Sequence, residues 1–154
     1  MPARKLKNLL DSRGVKYVSI QHSPAFTAPE IAASADVSGN NFAKTVIVKI
    51  DGDMAMVVLP ANRKIVLSEL REMMIGGKIQ LASESEFQAR FPDCELGAMP
   101  PFGNLYGLPV YVDRSLADEE EITFNAGTHR EVIRMPFGEY ANLVNPTIMD
   151  FVTT

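Results

Sequence analysis

The clearest pattern of hydrophobic and polar residues lies between Ala43 and Leu59, where two apolar runs are separated by a short polar segment. Residues from Ala43 to Ile50 are rich in β-branched side chains, and Met54 to Leu59 form a second apolar run. β-branched residues favour strands, and an Asp-Gly turn between two apolar runs is a strong hairpin signal. The segment Asp51-Gly52-Asp53 therefore predicts a hairpin between these two strands.

Other segments carry helical or alternating patterns. Leu6, Leu9 and Leu10 form a helical stripe, and Gly14 is a plausible stop. Further helices are predicted over 27–35, 68–74, from Ser83 to before Pro92, and from Pro136 through Val144, and further strands over 15–21, 108–113, 122–126 and 131–135. Hairpins with irregularly inserted helices predict an α+β fold around a mixed, mostly antiparallel sheet. We find no repeat or linker, so residues 1–154 are expected to form a single domain.

Composition sets the broad class of protein. The chain has 154 residues, of which 46% are hydrophobic and 22% charged, as in an ordinary globular domain. Its apolar runs are too short for a membrane span, and the basic N-terminus lacks the apolar region of a secretory signal. A single cysteine, Cys94, cannot form an intramolecular disulfide. We therefore expect a cytoplasmic protein without a membrane partner.

The charge of the chain limits its nucleic-acid partners. A formal net charge of −4 argues against a general DNA-binding protein, which would present a basic surface. No helix-turn-helix signature indicates sequence-specific DNA recognition. A small local basic patch that binds a nucleic-acid end remains compatible with this charge.

The reactive residues exclude several kinds of catalytic site. His22 and His129 are the only histidines, and Cys94 has no Cys-x-x-Cys partner. Neither metal-ligand spacing nor a Gly-x-Ser-x-Gly nucleophile motif occurs. We therefore predict a site with no metal, no cofactor and no strong protein nucleophile.

Two segments can still form a binding site. Lys44 shares a strand face with Val46, Val48 and Ile50, so it either extends into solvent or is held in a cleft. Half a chain later, the glycines and prolines of Gly97-Ala-Met-Pro-Pro-Phe-Gly103 form a stiff loop that can bring backbone N–H groups to a ligand. A cation facing such a loop suits an anionic substrate that carries a carbonyl group.

The order of four segments matches a known family. They are His22-Ser-Pro-Ala-Phe-Thr-Ala28, Phe42-Ala-Lys-Thr-Val-Ile-Val-Lys49, Gly97-x-x-Pro-x-Phe-Gly103 and Phe124-Asn-Ala-Gly-Thr-His129. With them, the chain resembles the YbaK and prolyl-tRNA-synthetase-associated aminoacyl-tRNA editing domains from about Leu6 to Val144. The resemblance implies a barrel-like sheet with flanking helices. It also implies a freestanding trans-editing hydrolase that removes a small amino acid from the 3′ acceptor end of mischarged tRNA, in some cases beside a synthetase.

The resemblance also implies roles for individual residues. Lys44 corresponds to the family's essential lysine and would position the substrate, Gly97 would supply an oxyanion-binding N–H group, and His129 would bind the ribose or orient water. Substrate-binding residues would be His22, Phe26, Pro100, Phe102, Gly103, Asn125, Gly127 and Thr128. The alternatives stay open: Phe102 as a core residue, the histidines as ordinary turn residues, and the whole chain as a noncatalytic module that binds a tRNA end, a nucleotide or a synthetase.

Overall fold

The computed structural model describes residues 4–21, 41–66, 68, 78–92, 94–95 and 98–151. The predicted helix over 27–35 and nearly all of the one over 68–74 lie outside these residues. The expectation of a single domain over 1–154 therefore stays a prediction.

The described strands form one mixed sheet of eight strands. They are β1 (Val18–Gln21), β2 (Phe42–Ile50), β3 (Asp53–Pro60), β4 (Ile79–Leu81), β5 (Val110–Asp113), β6 (Glu121–Asn125), β7 (Glu131–Pro136) and β8 (Thr147–Met149). The strand order is β1-β7-β6-β2-β3-β5-β8, and β4 pairs with β2. Three contacts, β2–β6, β3–β5 and β5–β8, are parallel and the others antiparallel. The predicted α+β class is confirmed, and the hydrogen-bonded path of described strands is open at β1 and β8.

Helices flank this sheet. The α-helices are α1 (Arg4–Ser12), α2 (Glu84–Phe87), α3 (Arg114–Ala117) and α4 (Phe137–Val144), and short 3₁₀ helices cover Gln88–Arg90 and Gly103–Leu105. The predictions of α1, α2 and α4 are confirmed. The sequence did not predict α3, β4 or β8, which have four, three and three residues. No helix in the described part of the chain has the length and apolar character to cross a membrane.

The predicted hairpin joins β2 to β3. Asp51 and Gly52 have positive φ angles of 52° and 88°. Two positive φ angles are what a two-residue turn of the tightest hairpin type requires, and Asp-Gly tolerates them. The turn fixes the register in which Lys44 lies opposite Leu59.

The two faces of β2 contact different apolar clusters. Ala43 and Ile47 belong to the main core, together with residues of α1, α4, β6 and β7. Val48 belongs to a second cluster with Leu59 and Phe151, and Val46 and Ile50 pack against it. Because strand side chains alternate, Lys44 lies on the face of the second cluster, as the sequence predicted.

A buried ion pair attaches α1 to the sheet. The ammonium group of Lys7 lies 2.7 Å from the carboxylate of Glu131 at the start of β7, and the Ser19 hydroxyl donates to the same carboxylate. Burial alone would raise the pKa of Glu131, but the hydrogen bonds from Lys7 and Ser19 outweigh it and hold that pKa below its ordinary value.

We expect Glu131→Gln to destabilise the protein in a pH-dependent way. Because the pKa of Glu131 is lowered on folding, its ionised form contributes stability near pH 7 that is lost as the pH falls through the folded-state value. Urea unfolding should therefore show a deficit of about 1 kcal/mol at pH 7. The deficit should shrink on acidification toward pH 3, and an equal deficit at both pH values would contradict this role of the ion pair.

A second prediction concerns the close packing at Gly103. A methyl group there would lie 2.6 Å from Val110 Cγ2 and 2.7 Å from the carbonyl oxygen of Leu108. Gly103→Ala should lower the free energy of unfolding by about 1–3 kcal/mol, because the backbone oxygen cannot move aside easily.

The matched control is Gly138→Ala in α4, where an added methyl group meets no atom within 4 Å. Alanine is the better helix former, so this variant should be as stable as the parent or gain about 0.5–1 kcal/mol. Equal free energies of unfolding for the two variants would show that the neighbours of Gly103 move aside, which would contradict the prediction.

Candidate functional site

Lys44 lies where the sheet divides. β3 runs along one edge of β2, from Ala43 to Ile50. The other edge pairs with β6 only at Phe42 and Ala43, and with β4 only from Val48 to Ile50. Lys44 is the first residue after the contact with β6, so it stands at the opening between the two partner strands.

The surroundings of Lys44 make its charge available to a ligand. The parallel register pairs Ala43 with Phe124, so Lys44 and Asn125 are the next residues along their two strands. The side chain of Lys44 is half-buried, and this burial lowers its pKa, with a further lowering from the charge of Lys64. A cation that has lost part of its hydration beside another cation favours an anionic or carbonyl ligand.

Three hydrogen bonds join the loop before the prolines to the turn between β6 and β7. The N–H of Glu95 donates to the carbonyl oxygen of Gly127 at 2.7 Å, and the N–H of Gly127 donates to that of Ala98 at 2.9 Å. The N–H of His129 donates to Glu95 Oε1 at 3.0 Å. Gly127 has a φ of 94°, which favours glycine at this position. Glu95 and Ala98 are therefore linked to Gly127 and His129 at the end of β6.

Residues of the main core also contact the proline end of this loop. The hydroxyl of Tyr140 in α4 donates to the carbonyl oxygen of Pro101 at 2.7 Å. Burial raises the pKa of Tyr140, so this hydroxyl stays a neutral donor. The ring of Phe102 packs against those of Phe124 and Tyr140 at 5.5 and 5.2 Å between centroids. Pro100 and Pro101 are buried as well, so the loop is held on two sides.

The fold brings together most of the residues that the sequence singled out. Those near the end of β6, or on the loop bonded to it, are Lys44, Pro100, Phe102, Gly103, Asn125, Gly127, Thr128 and His129. His22, Phe26 and Gly97 lie outside the described residues. Within this group, Phe102 is fully buried in the main core, which is the second of the two roles left open for it. The roles of all these residues toward a substrate stay predictions.

His129 and Thr128 occupy the predicted turn between two strands. His129 is only 8% exposed, so it is not an ordinary solvent-facing turn histidine. The hydroxyl of Thr128 accepts a hydrogen bond from the N–H of Arg130 and shapes the turn. Asn125, 6% exposed, has an Oδ1 atom without a hydrogen-bond partner among the described residues. A buried amide oxygen in this state is a ready acceptor for a ligand.

Sequence reasoning missed three polar residues of this region: Glu95, Thr123 and Arg134. Thr123 lies two residues before Asn125 on β6. The strand period of two residues could therefore have placed both side chains on the same face. The role of Glu95 depends on a contact across 34 positions of the chain, for which one sequence carries no signal.

The part of the loop that faces the core borders a different pocket. This open-sided pocket is lined by Phe87, Gln88, Phe91, Cys94, Glu95 and Met99. None of the residues that the sequence singled out for a role toward the substrate lines it. Cys94 is partly buried and its sulfur lies 3.4 Å from the hydroxyl of Tyr106, in line with a structural role. Over the described ranges, no group of three or more His, Cys, Asp or Glu side chains could hold a metal ion, and a metal-free reaction stays a prediction.

The sequence matches the family model of the aminoacyl-tRNA editing domain over residues 22–143. This range includes Lys44, the glycine-proline loop and the turn that carries His129. The chain belongs to the aminoacyl-tRNA editing domain family. The family resemblance drawn from the sequence motifs is thereby confirmed.

Individual relatives of this editing domain are similar over almost their whole length. The multifunctional Ser/Thr-tRNA deacylase ProXp-y of Escherichia coli K12 is 24% identical, over 98% of this chain and 93% of the relative. A crystal structure of a candidate trans-editing enzyme for prolyl-tRNA synthetase has a TM-score of 0.83 at 23% identity, over 99% of this chain and 98% of the other. The hypothetical protein APE2540 has a TM-score of 0.86 at 21% identity, over 97% and 99%. These two structures confirm the fold.

The link between Glu95 and His129 leads to a prediction about the editing domain's turn. Glu95→Ala removes the acceptor of the His129 N–H, whereas Glu95→Gln keeps an oxygen acceptor in the same place. Amide hydrogen exchange at His129 should be roughly three- to tenfold faster in the alanine variant, as expected for loss of one hydrogen bond. Exchange in the glutamine variant should match the parent, and equal rates in all three proteins would contradict the link.

Proposed function

We propose that this editing domain hydrolyses the ester bond between a small amino acid and the 3′ end of a mischarged tRNA. The observation that supports this proposal is that Lys44 lies level with Asn125 at the end of β6, and that the turn after β6 is joined to Glu95 and Ala98 by three hydrogen bonds. Positioning and preorganised dipoles suit this reaction, because an aminoacyl ester is already activated toward water.

In the reaction we propose, a water molecule attacks the carbonyl carbon of the ester. The bond from that carbon to the ribose oxygen then breaks, and the ribose oxygen takes a proton as the free amino acid leaves. The N–H group of Gly97 would stabilise the oxyanion, as the family resemblance implies, because the N–H groups of Glu95 and Ala98 already donate to carbonyl oxygens. His129 would orient the water or bind the ribose.

Lys44 acts in this proposal through its charge and position. It would bind the aminoacyl moiety or a phosphate, and it would stabilise charge that develops in the transition state. Its lowered pKa reflects burial, which is a loss of hydration that contact with the substrate would offset.

Serine and threonine are our first choices for the amino acid. The curated relative from Escherichia coli is named as a Ser/Thr-tRNA deacylase. In this chain, the unpartnered Oδ1 of Asn125 could accept a hydrogen bond from a small polar amino acid. A site built around such a bond discriminates strongly, whereas an apolar pocket distinguishes one methylene group by only about 1–3 kcal/mol.

The proposal also covers the tRNA, a synthetase partner and the location of the protein in the cell. The family membership and the name of the curated relative support action on aminoacyl-tRNA, and the acceptor end is the part that we expect to be bound. A synthetase partner and the cytoplasmic location expected from the sequence belong to the same proposal.

The test compares ester hydrolysis by the parent protein with that by the Lys44→Met variant. Purified protein is incubated with tRNAs carrying serine, threonine, alanine, cysteine or proline, and loss of the ester is followed. The parent should hydrolyse at least one species, and Lys44→Met should lower its rate roughly 100-fold or more, the range for loss of a charge-stabilising group. The variant should unfold at a urea concentration no lower than the parent, because the half-buried charge of Lys44 opposes folding.

The matched control is Lys49→Met, the same substitution on the opposite face of β2. Lys49 pairs with Glu86 away from the site, and a surface pair contributes little to stability. Its rate should equal that of the parent. Binding of tRNA without hydrolysis of any species would favour the noncatalytic module, and equal loss in both lysine variants would remove the special role of Lys44.

A further inference from the structure

A row of polar side chains, Thr123 and Arg134, lies on the same sheet face as Lys44, two residues before it along the strands. Thr123 of β6 lies opposite Arg134 of β7 and beside Phe42 of β2. Ile133 and Met135, which flank Arg134, belong to the main core on the other face. Alternation therefore places Arg134 and Thr123 on the face of Lys44 and Asn125. Two residues along a strand separate the rows, a distance of about 7 Å.

Polar atoms in this row are buried without partners. Thr123 is fully buried, and neither its hydroxyl oxygen nor the Nε atom of Arg134 has a hydrogen-bond partner among the described residues. Most buried polar groups in proteins are hydrogen-bonded, and leaving one unpaired costs about 1–3 kcal/mol. Unpaired groups on two neighbouring strands indicate a site that a ligand completes.

The charge of the row indicates the kind of ligand. No carboxylate among the described residues forms an ion pair with Arg134, and its neighbour Glu131 pairs with Lys7 on the other face. A guanidinium group binds planar or tetrahedral oxyanions through two parallel hydrogen bonds. β1 is the last strand of the described sheet on this side, and its Val18, opposite Arg134, is 44% exposed. An extended anionic chain could therefore enter from β1.

Aminoacyl-tRNA carries only one kind of anion that fits. The carboxyl group of the amino acid is esterified and neutral, so the negative charges of the acceptor end are its phosphates. We propose that Arg134, with the hydroxyl of Thr123, binds a backbone phosphate of the single-stranded acceptor end. This inference rests on the proposed function for the identity of the tRNA. It assigns the phosphate to the Arg134 row and leaves Lys44 for the aminoacyl group.

The first test measures binding of deacylated tRNA, which requires no turnover. Arg134→Met keeps much of the side-chain volume and removes the charge. Its Kd should rise about tenfold or more, as for loss of a hydrogen bond to a charged group. A plot of log K against log salt should become shallower by about 0.7, the value for one phosphate on a single strand.

Two further variants separate charge from packing. Arg134→Lys should restore the salt slope and part of the affinity, because it keeps a cation without the two-pronged geometry. Arg90→Met removes an exposed arginine at the end of a short 3₁₀ helix, and its Kd and slope should equal those of the parent. An unchanged Kd and slope for Arg134→Met would overturn the proposal.

The second test uses a substrate without phosphate. If the parent hydrolyses seryl- or threonyl-tRNA, Arg134→Met should raise KM for that tRNA with little change in kcat. The same variant should hydrolyse the corresponding 3′-aminoacyl-adenosine at the parent rate. A loss of equal size on both substrates would show that Arg134 acts on the aminoacyl group or on folding, which also overturns the proposal. If the parent hydrolyses none of the five aminoacyl-tRNAs, the proposed function fails while the tRNA-binding test still decides the role of Arg134.

Discussion

Three hydrogen bonds between the 95–98 loop and the turn that carries Gly127 and His129 hold the candidate site together. The proline end of the loop has a further support, the hydrogen bond from the Tyr140 hydroxyl to the carbonyl oxygen of Pro101. The bonds place the loop at the end of β6, next to Lys44. Geometry of this kind suits a reaction in which an activated ester needs positioning more than it needs a nucleophile.

The division of the sheet beside Lys44 explains why this position suits a ligand. β2 loses contact with β6 just before Lys44 and gains β4 only at Val48. On the face that this opening exposes, Asn125, Thr123 and Arg134 each carry a buried polar atom without a partner in the described structure. We expect such groups to reduce the stability of the free protein and to be satisfied when a ligand binds. Both faces of β2 also contact apolar clusters, so the polar groups and part of the core packing share one side of the sheet.

Family membership and geometry support each other, but they answer different questions. The family match covers the segments that carry Lys44, the loop and the turn, and the similar structures confirm the fold. At 24% identity, the relative from Escherichia coli suggests serine and threonine without settling the amino acid. The amino acid depends on side chains lining a pocket, and a few substitutions there can change it without altering the fold.

The sequence by itself determined the local elements and the face on which Lys44 lies. The β2–β3 hairpin and the face of Lys44 follow from Asp-Gly chemistry and a period of two, which act over a few residues. The family motifs also indicated Lys44, Asn125 and His129. Only the tertiary structure decided that Phe102 packs in the core, that Glu95 holds the turn, and that Arg134 shares a face with Lys44. Those facts depend on contacts between distant parts of the chain, and no local pattern of hydrophobic and polar residues encodes which strands become neighbours.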